Sequence, residues 1–302
     1  MFGAMLQIQT HSAQHHMSIH AKKILIIPEL NFRQTTECRM CGTHLPSPFL
    51  SLGEMPLANN LPESADESED RYPLELVVCP SCFLVQLGHV VDPHVLFTHY
   101  LYSSTSGLLS DHFQEMAAHL AQVLGLDSSS LVVDIGSNDG LLLSCFKMEG
   151  ISNVRGVEPA ANLASEANRN LIPTFNAFFS NDAVDRILAT DGAADLVTAT
   201  NVFAHVDDIK GLLENVKLLL KPDGVLVIEV PYLPEMLKTG TFDLVYHEHL
   251  SYLSVTPLVT FFPNMGMEIF RIETIPTHGG SLRVLVQMAG GKHAKDGSVD
   301  AY

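Results

Sequence analysis

The sequence predicts an α/β protein whose centre is a doubly wound parallel sheet. Between residues 111 and 230, short apolar runs typical of buried strands alternate with segments of helical periodicity. A glycine-bounded turn at residues 136–140 joins the first strand to a helix. Two Cys-x-x-Cys pairs precede this region and indicate a separate metal-binding module. The 302 residues are enough for two or three domains.

Composition narrows the class of protein. The chain is 46% hydrophobic and 17% charged, which describes a globular protein with a substantial core. Its net charge of −17 argues against nucleic acid or an anionic membrane surface as a partner. No apolar run approaches the roughly 18 residues that a membrane span needs. We therefore expect a cytoplasmic protein with an N-terminal extension at residues 1–36, in which Met17 is an alternative start.

The cysteine pairs are Cys38-x-x-Cys41 and Cys79-x-x-Cys82. In a chain without a secretory signal, such pairs indicate zinc rather than disulfides, although four unrelated thiols are the alternative. Each pair can turn two thiolates toward one ion, and two pairs complete a tetrahedron. Because all four ligands are cysteine, the zinc is expected to be structural. The zinc-binding module is predicted at residues 37–105.

The elements of the central domain, predicted at residues 106–236, follow in regular order. Strands are predicted at 131–135, 154–157, 172–175, 195–200 and 225–230. Helices are predicted at 111–124, from 141, at 160–169 and at 209–220. Ligands of doubly wound sheets bind beyond the carboxyl ends of the strands. This edge is expected to carry Gly136, Glu158, Phe178 and Asn201.

The glycine turn has the chemistry of a cofactor loop. Gly136 and Gly140 let backbone approach a ligand closely. An acid in the turn, Asp139, would repel a pyrophosphate but suits a sulfonium. About 20 residues after the turn, Glu158 can accept hydrogen bonds from a ribose diol. The pattern resembles the cofactor site of class I S-adenosylmethionine methyltransferases, whereas an ordinary βαβ turn is the alternative.

Three further motifs carry candidate chemistry. Tyr246-His247-Glu248-His249 concentrates two imidazoles, a carboxylate and a phenol, which suits proton transfer but also suits a polar surface cluster. His205 follows the fourth strand of the core and is either a site residue or a packing residue. The segment His278 to Arg283 is either a simple turn before the strand predicted at 282–288 or a lining for an anionic substrate.

Taken together, these motifs resemble the zinc-containing sugar C-methyltransferases of deoxysugar biosynthesis, of the nucleotide-linked 4-ketohexose C-3 type. The resemblance covers residues 37 to about 288. Its motifs are the two cysteine pairs, Tyr102-Ser103-Ser104, Asp134–Gly140, Gly156–Pro159, Asn201–His205, Tyr246–His249 and His278–Arg283.

The resemblance implies a Rossmann-like S-adenosylmethionine-binding domain and a nucleotide-linked keto sugar as acceptor. It implies cofactor contacts by Tyr102, Gly136, Asn138, Gly140, Glu158, Phe178 and Asn201. It implies catalytic roles for Tyr246, Glu248, His249 and His205. The 4-keto group acidifies the C-3 hydrogen, so one imidazole is expected to remove that proton. We predict His249 for this role, with His205 as its competitor.

The chain departs from this family in one respect. Family members carry a further α/β domain, and residues 237–302 are predicted to be only the beginning of such a substrate domain, so the chain is expected to be truncated. Two alternatives stay open. The first is an O- or N-methyltransferase of another small molecule. The second is a catalytically degenerate scaffold that keeps the cofactor and zinc sites.

Overall fold

A computed structural model describes residues 31–301, except residues 63, 65 and 105–107 and the side chains of residues 108 and 278. The N-terminal extension up to residue 30, with Met17, lies outside the described residues. The strands are β1 (Phe32–Gln34), β2 (Leu50–Pro56), β3 (Arg71–Val78), β4 (Val85–Leu87), β5 (His89–Val91), β6 (Leu131–Ile135), β7 (Asn153–Glu158), β8 (Thr174–Asn176), β9 (Ala194–Thr200), β10 (Leu220–Pro231), β11 (Ser251–Tyr252), β12 (Met267–Ile275) and β13 (Ser281–Met288).

In the central domain, helices alternate with strands along the chain. They are α1 (Pro93–Phe97), α2 (Leu108–Leu124), α3 (Leu141–Met148), α4 (Ala161–Arg169), α5 (Asn181–Thr190), α6 (Ile209–Leu219), α7 (Leu233–Thr239) and α8 (Val255–Asn264). Of these, the sequence analysis did not predict α1, α5, α7 and α8. Ser180 caps α5 by accepting a hydrogen bond from the Ala183 amide, a local signal that the sequence does contain.

Seven strands form the central sheet in the order β12-β13-β10-β9-β6-β7-β8. The five strands from β6 to β10 run parallel, whereas β13 lies antiparallel between β10 and β12. The predicted doubly wound sheet is therefore confirmed, with an antiparallel edge that the sequence analysis did not include. The strand β13, which lies after residue 236, pairs with Val225–Pro231 of β10. The sheet therefore includes residues beyond the domain boundary predicted at residue 236.

Both faces of the sheet are covered, which explains its uniformly apolar strands. Along β6, Val132 packs with α2 and α3, whereas Leu131 and Val133 join the buried cluster that contains α5, α6 and α8. Along β10, Val227 and Ile228 divide between the same two clusters. The alternation follows from the two-residue period of a strand.

The zinc-binding region forms its own small sheet. Its strands β3 and β4 pair antiparallel around the second cysteine pair. The four strands have the order β11-β4-β3-β2, so its edge strand β11 comes from far along the chain. As a result, the segment with Tyr246 and His249 runs directly into this sheet at Ser251.

Within the described residues, none of the helices has both the length and the apolar composition needed to cross a membrane.

Candidate active site and metal centre

The four predicted zinc ligands lie together. Their sulfur atoms are all within 4.8 Å of one another. The Sγ atoms of Cys38 and Cys82 are 3.5 Å apart, and those of Cys41 and Cys79 are 3.4 Å apart. With zinc–sulfur bonds of about 2.3 Å, tetrahedral thiolates lie about 3.8 Å apart, so this donor set fits a zinc ion.

Each cysteine pair closes through a tight backbone turn. The Gly42 amide donates to the Cys38 carbonyl at 2.9 Å, and Gly42 has a φ of 74°. In the second pair the equivalent position is Phe83, whose amide donates to the Cys79 carbonyl at 3.1 Å with a φ of 65°. A bulky residue rarely adopts this conformation, so the turn is imposed by its surroundings.

We expect one zinc ion per chain. Replacing Cys79 by serine should abolish stoichiometric zinc, because serine lacks the thiolate that completes the tetrahedron. Replacing Cys145, a buried cysteine outside the cluster, by serine is the matched control and should leave the metal content unchanged. Metal analysis of gently purified protein checks both. Full zinc content in the Cys79→Ser protein would refute the ligand set.

The glycine turn after β6 is sterically committed to glycine. Gly136 has a φ of 65°, and a Cβ there would lie 2.4 Å from Cγ2 of Val202. Gly140 has a φ of 83°, and a Cβ there would lie 2.9 Å from Cγ2 of Ile172. The turn therefore packs backbone against neighbouring side chains, as a close-approach loop requires.

Glu158 ends β7 and is buried beside this turn. Its Oε2 accepts the Asn138 amide hydrogen at 2.9 Å, and its Oε1 accepts the Ala160 amide hydrogen at 2.8 Å. Burial raises the pKa of Glu158, although the two amide donors act in the opposite direction. Each oxygen keeps a lone pair, so the carboxylate can still accept from a diol.

Asn138 links the turn to the segment predicted to contact the cofactor. Its Nδ2 donates to the Tyr102 carbonyl at 3.0 Å, and its Oδ1 accepts the Ser104 amide hydrogen at 3.0 Å. The Ser103 hydroxyl donates to Oδ2 of Asp139 at 2.6 Å. The hydroxyl-rich segment therefore lies against the glycine turn, as the placement of Tyr102 among the cofactor residues requires.

Asn201 follows β9 in a left-handed conformation, with a φ of 57°. Its amide donates to the Glu229 carbonyl at 2.7 Å, which holds this conformation. Its Oδ1 is buried and has no hydrogen-bond partner among the described residues. A buried unpaired acceptor at this edge suits a ligand that donates a hydrogen bond. Phe178, from the same edge, packs edge-on against the ring of His94 at 4.9 Å.

His249 has a defined tautomer. Its Nδ1 lies 2.7 Å from the Leu244 carbonyl oxygen, which only accepts, so Nδ1 carries the hydrogen. Its Nε2 lies 3.0 Å from the Tyr246 hydroxyl and accepts from it. Burial, together with the charge of Glu248, raises the pKa of Tyr246. The pair thus places a protonated phenol in direct contact with Nε2 of the imidazole.

His205 lies next to this pair. Its ring stacks on that of His249 with centroids 5.1 Å apart and on that of Phe97 with centroids 5.6 Å apart. Its Nε2 is buried and lacks a hydrogen-bond partner within the described part of the chain. Burial, with a smaller effect of His249, lowers the pKa of His205 well below its ordinary value, so this imidazole is neutral.

Glu248 is buried and held by two side chains that the sequence analysis missed. Its Oε2 accepts from the Tyr100 hydroxyl at 2.7 Å, and its Oε1 accepts from Nδ2 of Asn59 at 2.6 Å. Burial raises the pKa of Glu248 despite these donors. The backbone of Tyr100 also exchanges two hydrogen bonds with the Asn162 side chain of α4. Tyr100 therefore connects the cofactor edge to the Tyr246–His249 segment.

The structure gives Arg283 a different environment from the predicted anion site. Its guanidinium lies on β13 and is 4% exposed. It pairs with Glu229 at 2.8 Å and with Glu273 at 3.3 Å. The guanidinium is thus already paired with two carboxylates within the sheet. The interpretation of Arg283 as a lining for an anionic substrate is therefore wrong.

Comparisons with known proteins identify the family of the chain. Residues 38–97 match a family described as "Putative zinc binding domain", and residues 108–271, more than half of the chain, match a "Methyltransferase domain" family. The chain belongs to this methyltransferase family. The predicted zinc-binding module agrees with both the cysteine cluster and the first match. The fold is that of an S-adenosylmethionine-binding methyltransferase, as predicted.

Similar proteins include C-methyltransferase NovU from Streptomyces niveus, which is 40% identical over 264 residues. This alignment covers 86% of the chain and 63% of NovU, so the chain spans less than two thirds of that relative. The predicted resemblance to zinc-containing C-methyltransferases is thus confirmed.

More distant similarities were also found. A ubiquinone biosynthesis O-methyltransferase from Cupriavidus pinatubonensis is 23% identical over 159 residues, which cover 47% of the chain and 61% of that protein. Among solved structures, magnesium protoporphyrin IX methyltransferase from Synechocystis PCC 6803 has a TM-score of 0.46 at 15% identity, covering 60% of this chain and 83% of its own.

Proposed function

We propose that the protein transfers a methyl group from S-adenosylmethionine to C-3 of a nucleotide-linked 4-keto deoxysugar, through an enolate formed by a histidine base. The contact between His249 and Tyr246, beside the cofactor edge, carries this proposal, because it joins a base to a hydrogen-bond donor. The similarity to a C-methyltransferase supports carbon as the acceptor atom.

The cofactor would be held by groups at the carboxyl ends of β6, β7 and β9. Glu158 would accept from the ribose diol. The Oδ1 of Asn201, which has no hydrogen-bond partner in the described part of the chain, would accept from another donor of the cofactor. When bound, S-adenosylmethionine supplies a methyl group on a positively charged sulfur. Asp139 and Glu158 give this edge an acidic lining, which suits a cation.

Proton removal from carbon is assigned to Nε2 of His249. The hydrogen bond from Nδ1 to Leu244 fixes the neutral tautomer in which Nε2, not Nδ1, carries the basic lone pair. In this structure that lone pair faces the Tyr246 hydroxyl. When the acceptor binds, we expect this hydroxyl to turn to the C-4 carbonyl oxygen. The turn would free the base and supply the donor in one movement.

The remaining groups would stabilise charge during the reaction. His205 is neutral and its Nε2 has no hydrogen-bond partner among the described residues, so it can offer a second donor to the enolate oxygen. Glu248 would stabilise the His249 cation electrostatically after proton transfer. Its hydrogen bonds from Tyr100 and Asn59 hold the carboxylate in a fixed orientation for this role.

Cofactor binding can be tested at Glu158. Glu158→Ala should weaken S-adenosylmethionine binding roughly 10- to 100-fold, because a hydrogen-bonded carboxylate is lost. Glu158→Gln should also weaken it, since both oxygens accept backbone amides and an amide group would turn N–H toward N–H. Glu166→Ala, on the exposed face of α4, is the control. Calorimetry that gives equal affinities for Glu158→Ala and wild type would reject this placement.

The methyl acceptor can be identified directly. Labelled S-adenosylmethionine is incubated with the protein and a panel of nucleotide-linked 4-keto sugars, and fragmentation mass spectrometry locates the methyl group. We expect the label on C-3. A methyl group on oxygen or nitrogen would instead favour the O- or N-methyltransferase alternative, and cofactor binding without turnover of any acceptor would favour the scaffold alternative.

A further inference from the structure

Arg39 lies between the first two cysteines of the zinc site, but its side chain contacts other parts of the chain instead of the cysteines. The side chain is 2% exposed. Its Nε donates to Oδ1 of Asp207 at 3.0 Å. Its Nη1 donates to the carbonyl oxygens of Leu87 at 3.0 Å and of Leu250 at 3.2 Å. One guanidinium therefore contacts three separate segments of the chain.

Two of these segments carry the imidazoles of the site. Asp207 lies two residues after His205, and Leu250 directly follows His249. Those two rings stack with their centroids 5.1 Å apart. The rigid fork of Arg39 thus spans the two chain segments whose separation sets the distance between the rings.

The backbone of Arg39, in the turn between Cys38 and Cys41 that we call the zinc knuckle, is fixed as well. Its backbone amide donates to Oε1 of Gln86 at 3.0 Å, and Gln86 is fully buried on β4. The neighbouring Cys38 is one of the four clustered cysteines. A metal ion bound there would hold the backbone from which the guanidinium extends.

We infer that Arg39 is a positioning residue, which makes the zinc knuckle part of the scaffold that sets the relative placement of His205 and His249. Burial lowers the pKa of Arg39, although Asp207 opposes this effect, and the guanidinium stays charged as a donor. The inference extends the proposed function, but the geometry itself does not depend on which acceptor is methylated.

Hydrogen–deuterium exchange read by mass spectrometry tests the inference without turnover. In zinc-loaded, full-length Arg39→Met protein, the amides of residues 203–207 and 249–252 should exchange roughly 10- to 100-fold faster, because each segment loses a charge-assisted hydrogen bond. The amides of residues 131–135 should not change. Arg39→Lys should give an intermediate effect, since one ammonium cannot reproduce the fork.

Two further variants separate positioning from general damage. Asp207→Asn, which leaves the knuckle intact, should loosen residues 203–207 alone. Arg33→Gln removes the other, more exposed arginine that pairs with Asp207 and should loosen neither segment. Zinc content should remain one ion per chain in all variants. Unchanged exchange in Arg39→Met, or loosening that appears only with zinc loss, would overturn the inference.

Kinetics add a second readout. In Arg39→Met protein, kcat should fall roughly 10-fold or more, whereas the KM for S-adenosylmethionine should stay within about 2-fold, because the glycine turn is untouched. A rise of roughly 10-fold in this KM, with an unchanged kcat, would contradict a positioning role. If the wild type turns over no acceptor, the proposed function fails, but the exchange experiment still decides whether Arg39 positions the two segments.

Discussion

Replacing Arg283 by methionine should lower the free energy of unfolding by about 3–5 kcal/mol, the usual cost of leaving one partner of a buried ion pair alone. Glu229 is 1% exposed, and Arg283 contacts its Oε2 through both Nε and Nη2. The variant keeps a side chain of similar length, so most of the loss should come from the unpaired carboxylate. Urea denaturation of zinc-loaded protein measures the change.

Two controls make this result specific. Lys217→Met removes a surface ion pair with Glu214 and should change stability by less than about 1 kcal/mol. The penalty in Arg283→Met should also depend on pH. Burial alone would raise the pKa of Glu229. The hydrogen bond from His112 and the charge of Arg283 outweigh burial and lower this pKa.

The sign of the pH effect follows from this balance. In the wild type, the lowered pKa means that Glu229 contributes stability above its unfolded-state pKa and loses it as pH falls through the folded-state pKa. In Arg283→Met, burial is opposed by one cation fewer, so the charged carboxylate becomes costly and protonation relieves it. The difference between the two proteins should therefore shrink as pH falls toward 4. A difference that stays constant with pH would show that lost packing, not charge, causes the destabilisation.

The same residues show where sequence reasoning reaches its limit. The strand β6 was predicted with identical bounds, because an unbroken apolar run between turn residues has few alternatives. In contrast, β12 was missed, since the adjacent apolar residues Ile269 and Phe270 interrupt the alternation of this edge strand at a bulge. For Arg283 the anion-lining alternative stayed open, because its partners, Glu229 and Glu273, are brought together only by strand pairing.

The candidate site was partly predictable for a similar reason. The predicted cysteine, glycine and histidine motifs are short local patterns. The structure clusters the four cysteines, places the glycine turn against Glu158 and stacks His205 on His249. Tyr100 and Asn59 carry no such pattern. They contact Glu248 across sequence separations of 148 and 189 residues, so only the fold identifies them.

The largest effect on chemistry is expected at His249. In heavy water with S-adenosylhomocysteine bound, wild-type protein should exchange the C-3 hydrogen of its keto-sugar substrate for deuterium, because enolate formation needs no methyl donor. His249→Asn should abolish this exchange, since asparagine offers no basic nitrogen in place of Nε2. Proton NMR of the sugar follows the C-3 signal directly.

The neighbouring residues sharpen the assignment. His205→Asn should slow exchange by roughly 10²–10³, the scale for losing one oxyanion donor, and not abolish it. Tyr246→Phe should slow exchange to a similar degree. It should not cause a complete loss, because it removes the donor to the enolate oxygen but keeps the basic Nε2 of His249 in place. If His249→Asn exchanges at nearly the wild-type rate while His205→Asn does not exchange at all, His205 is the base. If the wild type exchanges none of the keto sugars, the histidine pair has another role and the sugar C-methyltransferase proposal fails.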